Sequence, residues 1–182
     1  MSVQEFLDAE LASPVKHEYL GGTVHAMSGG RNVHNLVATN ISTALGSQLR
    51  GQRCRTFNSD TKIRIRLTGH TRFYYPDVSV ICRLNPAHEV YQDEPVVIVE
   101  VLSDSTRRTD LGEKKDAYLS ISSLAVYLVV EPEAAAVVAY RRTDEGFVRE
   151  IWEGLTVSVP LPEVGVELPL SEVYDGVELS DP

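Results

Sequence analysis

What the chain has little of narrows the field first. Its 182 residues include only two cysteines, Cys54 and Cys82, with no CxxC spacing between them. They are expected to be reduced thiols in a cytoplasmic protein and not half of a zinc knuckle or a redox pair. No apolar run approaches twenty residues, and no charged-then-apolar leader opens the sequence, so neither a membrane span nor a signal peptide is expected. The five histidines show no i,i+4 or comparable ligand spacing, which argues against a histidine-rich zinc site. Repeats and low-complexity tracts are also missing. With 43% hydrophobic residues the chain can bury one sizeable core.

Positive charge is scarce as well. Seventeen Lys and Arg face 26 Asp and Glu, a formal net charge of −9, which weighs against non-specific affinity for phosphate. The distribution is uneven, however. From Arg50 to Arg72 seven basic residues meet one acid, Asp60, whereas from Glu131 onward three basic residues meet twelve acids. In Lys62-Ile63-Arg64-Ile65-Arg66-Leu67 strict alternation places Lys62, Arg64 and Arg66 on one face of a strand. That face is either a solvated outer surface with its own salt bridges or a surface turned toward DNA.

What is present is a pair of strand-like runs that each deliver one carboxylate. Tyr75-Pro76-Asp77-Val78-Ser79-Val80-Ile81 offers Asp77, its approach fixed by the proline. Val96-Val97-Ile98-Val99-Glu100-Val101-Leu102 is otherwise aliphatic and reads as a strand buried on both faces. An unpartnered carboxylate there costs several kcal/mol, so Glu100 must be paired, protonated or bound to metal. A helix expected over Asp110–Ile121, with Thr109 as its hydroxyl N-cap, aligns Asp110, Lys114 and Tyr118 in one stripe. Asp110 and Lys114 are then either an exposed surface pair or part of a site with the two acids. Two carboxylates sharing a divalent cation beside an ammonium suit metal-assisted phosphodiester hydrolysis.

Other elements follow from periodicity and punctuation. Ser2 and Glu5 form a capping box for a helix through about Ala12. Strands are expected near Thr23–Met27, Thr56–Asn58, Lys62–Leu67, Asp77–Cys82, Val96–Leu102 and Ala125–Val130. A hairpin is expected from Ala136–Arg141 and Phe147–Trp152, turning at Asp144-Glu145-Gly146. A long helix over Asn32–Arg50 carries Val33, Leu36, Val37, Ile41, Ala44, Leu45 and Leu49 on one stripe, flanked by His34. The Asn85–Pro95 stretch reads as a connecting loop, and within the acidic tail from Pro160 to Pro182 the segments Val166–Leu168 and Leu170–Tyr174 are expected to pack as a short strand and turn. This order implies an α/β domain with a mixed central sheet.

Pro76-Asp77, then Val99-Glu100-Val101-Leu102-Ser103-Asp104-Ser105-Thr106, then Asp110-Leu111-Gly112-Glu113-Lys114 with Tyr118 resemble the Uma-type (DUF820) family of restriction endonucleases. That family belongs to the PD-(D/E)XK nuclease superfamily. The Glu18-Tyr19-Leu20-Gly21-Gly22-Thr23-Val24 block, His34 and the Ala125–Pro132 strand are similar to the family as well. The resemblance implies one restriction-endonuclease-like domain over residues 1–182. Its mixed central sheet is flanked by helices and extended by C-terminal hairpin strands, with residues 160–182 an acidic tail of the same domain.

The same resemblance implies an Mg²⁺-dependent endonuclease, with Mn²⁺ as the alternative. Asp77 and Glu100 would be the metal ligands, the Val101 carbonyl a third, Lys114 the catalytic ammonium and Glu18 an additional acid. Leu102 stands where the superfamily's lysine follows the glutamate, and Lys114 matches the place to which this branch has moved it. His34, Lys62, Arg64 and Arg66 are the candidates for contact with nucleic acid, DNA first. A homodimer is expected, since one compact subunit cutting a duplex usually needs a second. The rival readings are a nuclease fold that binds or regulates without turnover, and a hydrolase of small phosphate esters with a closed pocket.

Overall fold

The protein is described by a computed structural model that covers residues 1–27 and 29–180. Asp181 and Pro182, the end of the acidic tail, lie outside the described residues. The chain opens with α1 (Val3–Ala12), β1 (His17–Leu20), β2 (Thr23–Ala26) and α2 (Asn32–Gln48). Then come β3 (Arg55–Asn58), β4 (Lys62–Leu67), β5 (His70–Tyr74), β6 (Val78–Ile81), β7 (Tyr91–Gln92) and β8 (Pro95–Val101). Two short helices, α3 (Arg107–Asp110) and α4 (Glu113–Leu119), lead to β9 (Val126–Val130), β10 (Ala136–Thr143) and β11 (Gly146–Glu153). β12 (Ser158–Leu161), β13 (Val166–Pro169) and α5 (Leu170–Val173) complete it.

These strands form two mixed sheets where one central sheet was expected. One runs β2-β1-β5-β4-β7, the other β11-β10-β9-β8-β6-β3, and β12-β13 is a separate hairpin. The larger sheet is the functional frame. β8 and β9 run parallel, and the return path between them passes through α3 and α4. That crossover is the βαβ unit a parallel pair requires. Alternation along β8 then sorts its side chains. Val97, Val99 and Val101 join the core under α2, with Val126, Leu128 and Val130 of β9. Ile98 and Leu102 face the opposite way, into a second core shared with Ile63, Ile65, Tyr74 and Tyr118. Glu100 has the parity of Ile98 and Leu102, so it points into that second layer, toward α4.

The mixed α/β architecture, sheets flanked by helices, matches the expected fold class. The capping box on α1 is present, with the Ser2 side chain accepting from the Glu5 amide and Glu5 reaching back to the Ser2 amide. The tail is structural: Leu161, Leu168, Leu170 and Val173 are buried in the core beneath α2.

Two further expectations are corrected. The helix over Asp110–Ile121 is broken in two, and Thr109 caps nothing because it lies inside α3. Gly112 sits at the break with φ −118° and ψ −107°, where a Cβ would stand 2.8 Å from the Arg108 carbonyl oxygen. Only a residue without a side chain permits that close approach. The second correction concerns the cysteines, which form a Cys54–Cys82 disulfide and are not free thiols. β3 and β6 pair antiparallel with Arg55 opposite Ile81, so the residues just beyond that pair meet face to face. Register across 28 residues is not visible in local spacing.

Candidate active site

The site lies where β6, β8, α2 and the α3–α4 break meet. Asp77 immediately precedes β6, whose Val78 pairs with Val99 of β8. Beyond that pair the ladder stops, and the Asp77 carboxylate takes over the next bond. The Val101 amide donates to Asp77 Oδ2 at 2.8 Å. His34, in the first turn of α2, places Nε2 3.2 Å from the same oxygen. A Cβ on Gly30 would come within 2.8 Å of His34 Nδ1, so the glycine leaves room for the ring.

Glu100 is 3% exposed and Lys114 5%, and they meet directly. Lys114 Nζ lies 2.9 Å from Glu100 Oε1, 3.1 Å from Glu18 Oε1 and 3.6 Å from Asp110 Oδ1. The Tyr118 hydroxyl donates to Glu100 Oε1 at 3.0 Å. The Tyr74 ring lies beneath the ammonium, its centroid 5.5 Å away. The stripe Asp110, Lys114 and Tyr118 is therefore buried along its length, and the exposed surface pair is not what forms. Because Glu18 stands on β1 and Glu100 on β8, one ammonium joins both sheets to α4.

The electrostatics are those of a site with surplus negative charge. Burial pushes the Glu100 carboxyl up to about 8; Lys114 opposes that rise, and Asp77 and Asp110 reinforce it. Burial likewise raises Asp110, with Lys114 only partly offsetting it. Asp110 Oδ1 is buried without a hydrogen-bond partner. At Lys114 burial favours the neutral amine, but the pull of Glu100, Glu18 and Asp110 prevails and holds the group well above the usual lysine range. It stays an ammonium. The Asp77 hydrogen bond raises His34 against the opposing effect of burial. Four carboxyl groups thus crowd one lysine and one histidine, and Asp110 Oδ1 has only the ammonium at 3.6 Å, beyond hydrogen-bond distance. Donors of this hard-oxygen type suit Mg²⁺ or Mn²⁺. Among the described residues, no three His, Cys, Asp or Glu side chains are gathered so as to hold a metal without further help.

A cavity of about 220 Å³ opens over these groups, lined by His34, Asp77, Glu100, Val101, Asp110 and Lys114. Arg31, Tyr75 and the polar run Ser103–Thr106 form its rim. The fold brings Asp77, Glu100, Val101, Lys114, Glu18 and His34 together. It does not bring Lys62, Arg64 or Arg66 to them. Arg64 makes a two-pronged contact with Asp93, both bonds 2.7 Å, and stacks over Tyr91 at 4.1 Å. Lys62 is buried over the Tyr75 ring. Arg66 is exposed, 3.8 Å from Asp93, beside a different cavity. Sequence reasoning passed over Arg31 and quoted Asp104 only within the Val99–Thr106 string, with no role of its own. Their only signal was position, in the loops directly before α2 and after β8.

Comparison with known proteins places this geometry among relatives. Residues 3–175 match the family described as "Uma2: Putative restriction endonuclease". An uncharacterized protein of Synechocystis sp. is 31% identical over 178 residues, covering 97% of this chain and 93% of its own. A second from the same organism is 26% identical over 148 residues, covering 80% and 82%. Among solved structures, one described as "a putative nuclease belonging to DUF820" from Anabaena variabilis superposes with a TM-score of 0.72. It is 19% identical, covering 94% of this chain and 98% of that one, a likeness of fold.

Proposed function

Since the chain belongs to the Uma2 family of restriction endonucleases, we propose that it is a divalent-metal-dependent endonuclease hydrolysing phosphodiester bonds of nucleic acid, DNA in the first place. The observation that carries this reading is the convergence of Asp77, Glu100 and Lys114 in one cavity with more buried carboxyl groups than cations. Asp77 and Glu100, with the Val101 carbonyl, would hold Mg²⁺ or alternatively Mn²⁺. Bound there, the ion supplies Lewis-acid polarisation of the phosphate and an acidified water.

The chain's own residues divide the remaining work. Lys114 cannot accept a proton in its ammonium form, so its part is to balance charge on the phosphate as the bond breaks. Glu18 and Asp110 hold it in place. Tyr118 fixes Glu100 from below, and His34 with the Val101 amide fixes Asp77. The whole is read as one nuclease domain working as a homodimer. The expected cytoplasmic placement rested on reduced thiols, and the Cys54–Cys82 disulfide removes that support.

The test is a plasmid-cleavage panel with Mg²⁺, Mn²⁺ and EDTA, run beside Asp77→Ala, Glu100→Ala and Lys114→Ala. Cleavage is expected with either metal only, and from none of the variants. Activity that survives all three substitutions sinks the assignment. A second reading, a nuclease fold that binds without cutting, is favoured by the absence of a ready metal-holding group among the described residues. Calorimetry with Mn²⁺ separates the two, because a degenerate site binds no better in the wild type than in Asp77→Ala.

A further inference from the structure

The nearest unexplained feature is the guanidinium on the rim. Lys114 is buried among three carboxyl groups at the scissile position, so among the described residues Arg31 is the one solvent-exposed, permanently charged cation of the cavity lining that can meet a flanking phosphate. Arg31 immediately precedes α2 and is bound at its tip to Asp104, with Glu133 Oε1 3.7 Å from Nη1. These pairs are wet: the side chains are 62% exposed for Arg31, 87% for Asp104 and 49% for Glu133. Exposed ion pairs are weak and easily exchanged.

Arg31 also stands between two cavities. On its far side lies a second hollow of about 180 Å³, which shares Arg31, His34, Ser103 and Asp104 with the first and adds Arg107, Glu131 and Glu133. Arg107 is not available in the same way. It grips Glu131 through two bonds of 2.8 and 2.5 Å, a forked geometry that is harder to undo. The cleft therefore carries two arginines, both silenced by acids, one of them loosely.

We infer that the second hollow receives the nucleotide flanking the scissile bond, and that Arg31 binds its phosphate after releasing Asp104 and Glu133. The two acids stand in for that phosphate in the free protein. A guanidinium matches a phosphate bidentately, which neither single contact to a carboxylate here does. This gives an acidic protein a nucleic-acid contact that appears only when substrate displaces the acids. Arg31 is then a binding residue, with no part in bond cleavage. The inference rests on the endonuclease reading for its substrate, and its test is separable from it.

The test measures affinity for a fluorescent oligonucleotide by anisotropy in Ca²⁺, across a salt series, for wild type, Arg31→Ala, Asp104→Asn, Glu133→Gln and Arg31→Ala/Asp104→Asn. Arg31→Ala is expected to weaken binding about tenfold and to lower the salt slope by about one. Asp104→Asn and Glu133→Gln are expected to tighten binding severalfold, and the Asp104→Asn gain to vanish in the double variant. If that gain persists without Arg31, the acids merely repel substrate and the inference fails. It fails too if Arg31→Ala binds like wild type. Binding that depends on Arg31 in a protein that never cuts sustains this inference and ends the endonuclease reading. Cleavage with binding indifferent to Arg31 does the reverse.

Discussion

Replacing Lys114 by Met tests the site's physics without any assumption about substrate. Lys114 is 5% exposed, and its ammonium faces Glu100, Glu18 and Asp110 within 3.6 Å. Removing one member of a buried ion pair costs about 3–5 kcal/mol, because the partner is left charged and dry. Against a total stability of about 5–15 kcal/mol, that is a large fraction. At about 2–4 °C per kcal/mol for a chain of this size, Lys114→Met should melt about 6–20 °C below wild type. Glu100→Gln should behave quite differently. Burial pushes its carboxyl up to about 8, toward the neutral form that the amide imitates, and the amide still offers Tyr118 an acceptor. Lys114 keeps Glu18 and Asp110, so a loss below about 1 kcal/mol is expected.

The pH dependence of that second variant follows by linkage. A folded pKa raised above the unfolded one means that, between about pH 4.5 and about 8, the native protein keeps a proton the unfolded chain has released. Wild-type stability from this group therefore falls as pH climbs through that window. Glu100→Gln has no such proton, so its stability relative to wild type should improve from pH 5 to pH 8. Thermal melts of the three proteins at both pH values decide the matter. Lys114→Met melting within 2 °C of wild type, or Glu100→Gln as damaged as Lys114→Met, refutes the reasoning.

Three further outcomes are expected. Asp77→Asn keeps the oxygen that accepts from Val101, so it should melt within a few degrees of wild type while plasmid nicking falls about 10³-fold, several kcal/mol of transition-state stabilisation. Gly112→Ala forces a methyl group against the Arg108 carbonyl and should cost about 1–3 kcal/mol in urea denaturation. At Asp93 burial would raise the carboxyl, but bonds from Arg64 and Asn85 outweigh it and hold the group below its usual range. Its contribution is thus present above the unfolded value near pH 4 and lost as pH falls through the lower folded value. Asp93→Asn should cost about 1 kcal/mol at pH 6 and progressively less below pH 4.

How much of this could be read from residues alone varies with how local the cause is. Lys62–Leu67 and the β8 run were legible because alternation and an unbroken aliphatic stretch each carry a strand's burial in their own letters. The four-residue β1 and the two-residue β7 were not, since each is held by partners elsewhere: β1 by β2 and β5, β7 by a parallel pair with β4. The division into two sheets is a matter of register and has no short-range signature. At the site, Glu100 announced its need for a partner but not the partner's name. Lys114 answers that need, while its other two acids, Glu18 and Asp110, come from 96 residues upstream and four residues back. The broken helix had a visible warning in Gly112, which periodicity alone overrode.

The fact that a single lysine tethers acids on β1, β8 and α3 has an evolutionary corollary. On the proposed reading, chemistry and cohesion share that position, so selection cannot trade one for the other there. A lineage that no longer needed the proposed reaction could lose Asp77 at little cost in stability, whereas losing Lys114 would cost about 3–5 kcal/mol. Decay of such a protein would begin at Asp77, on the cavity wall, and reach the inner cation last.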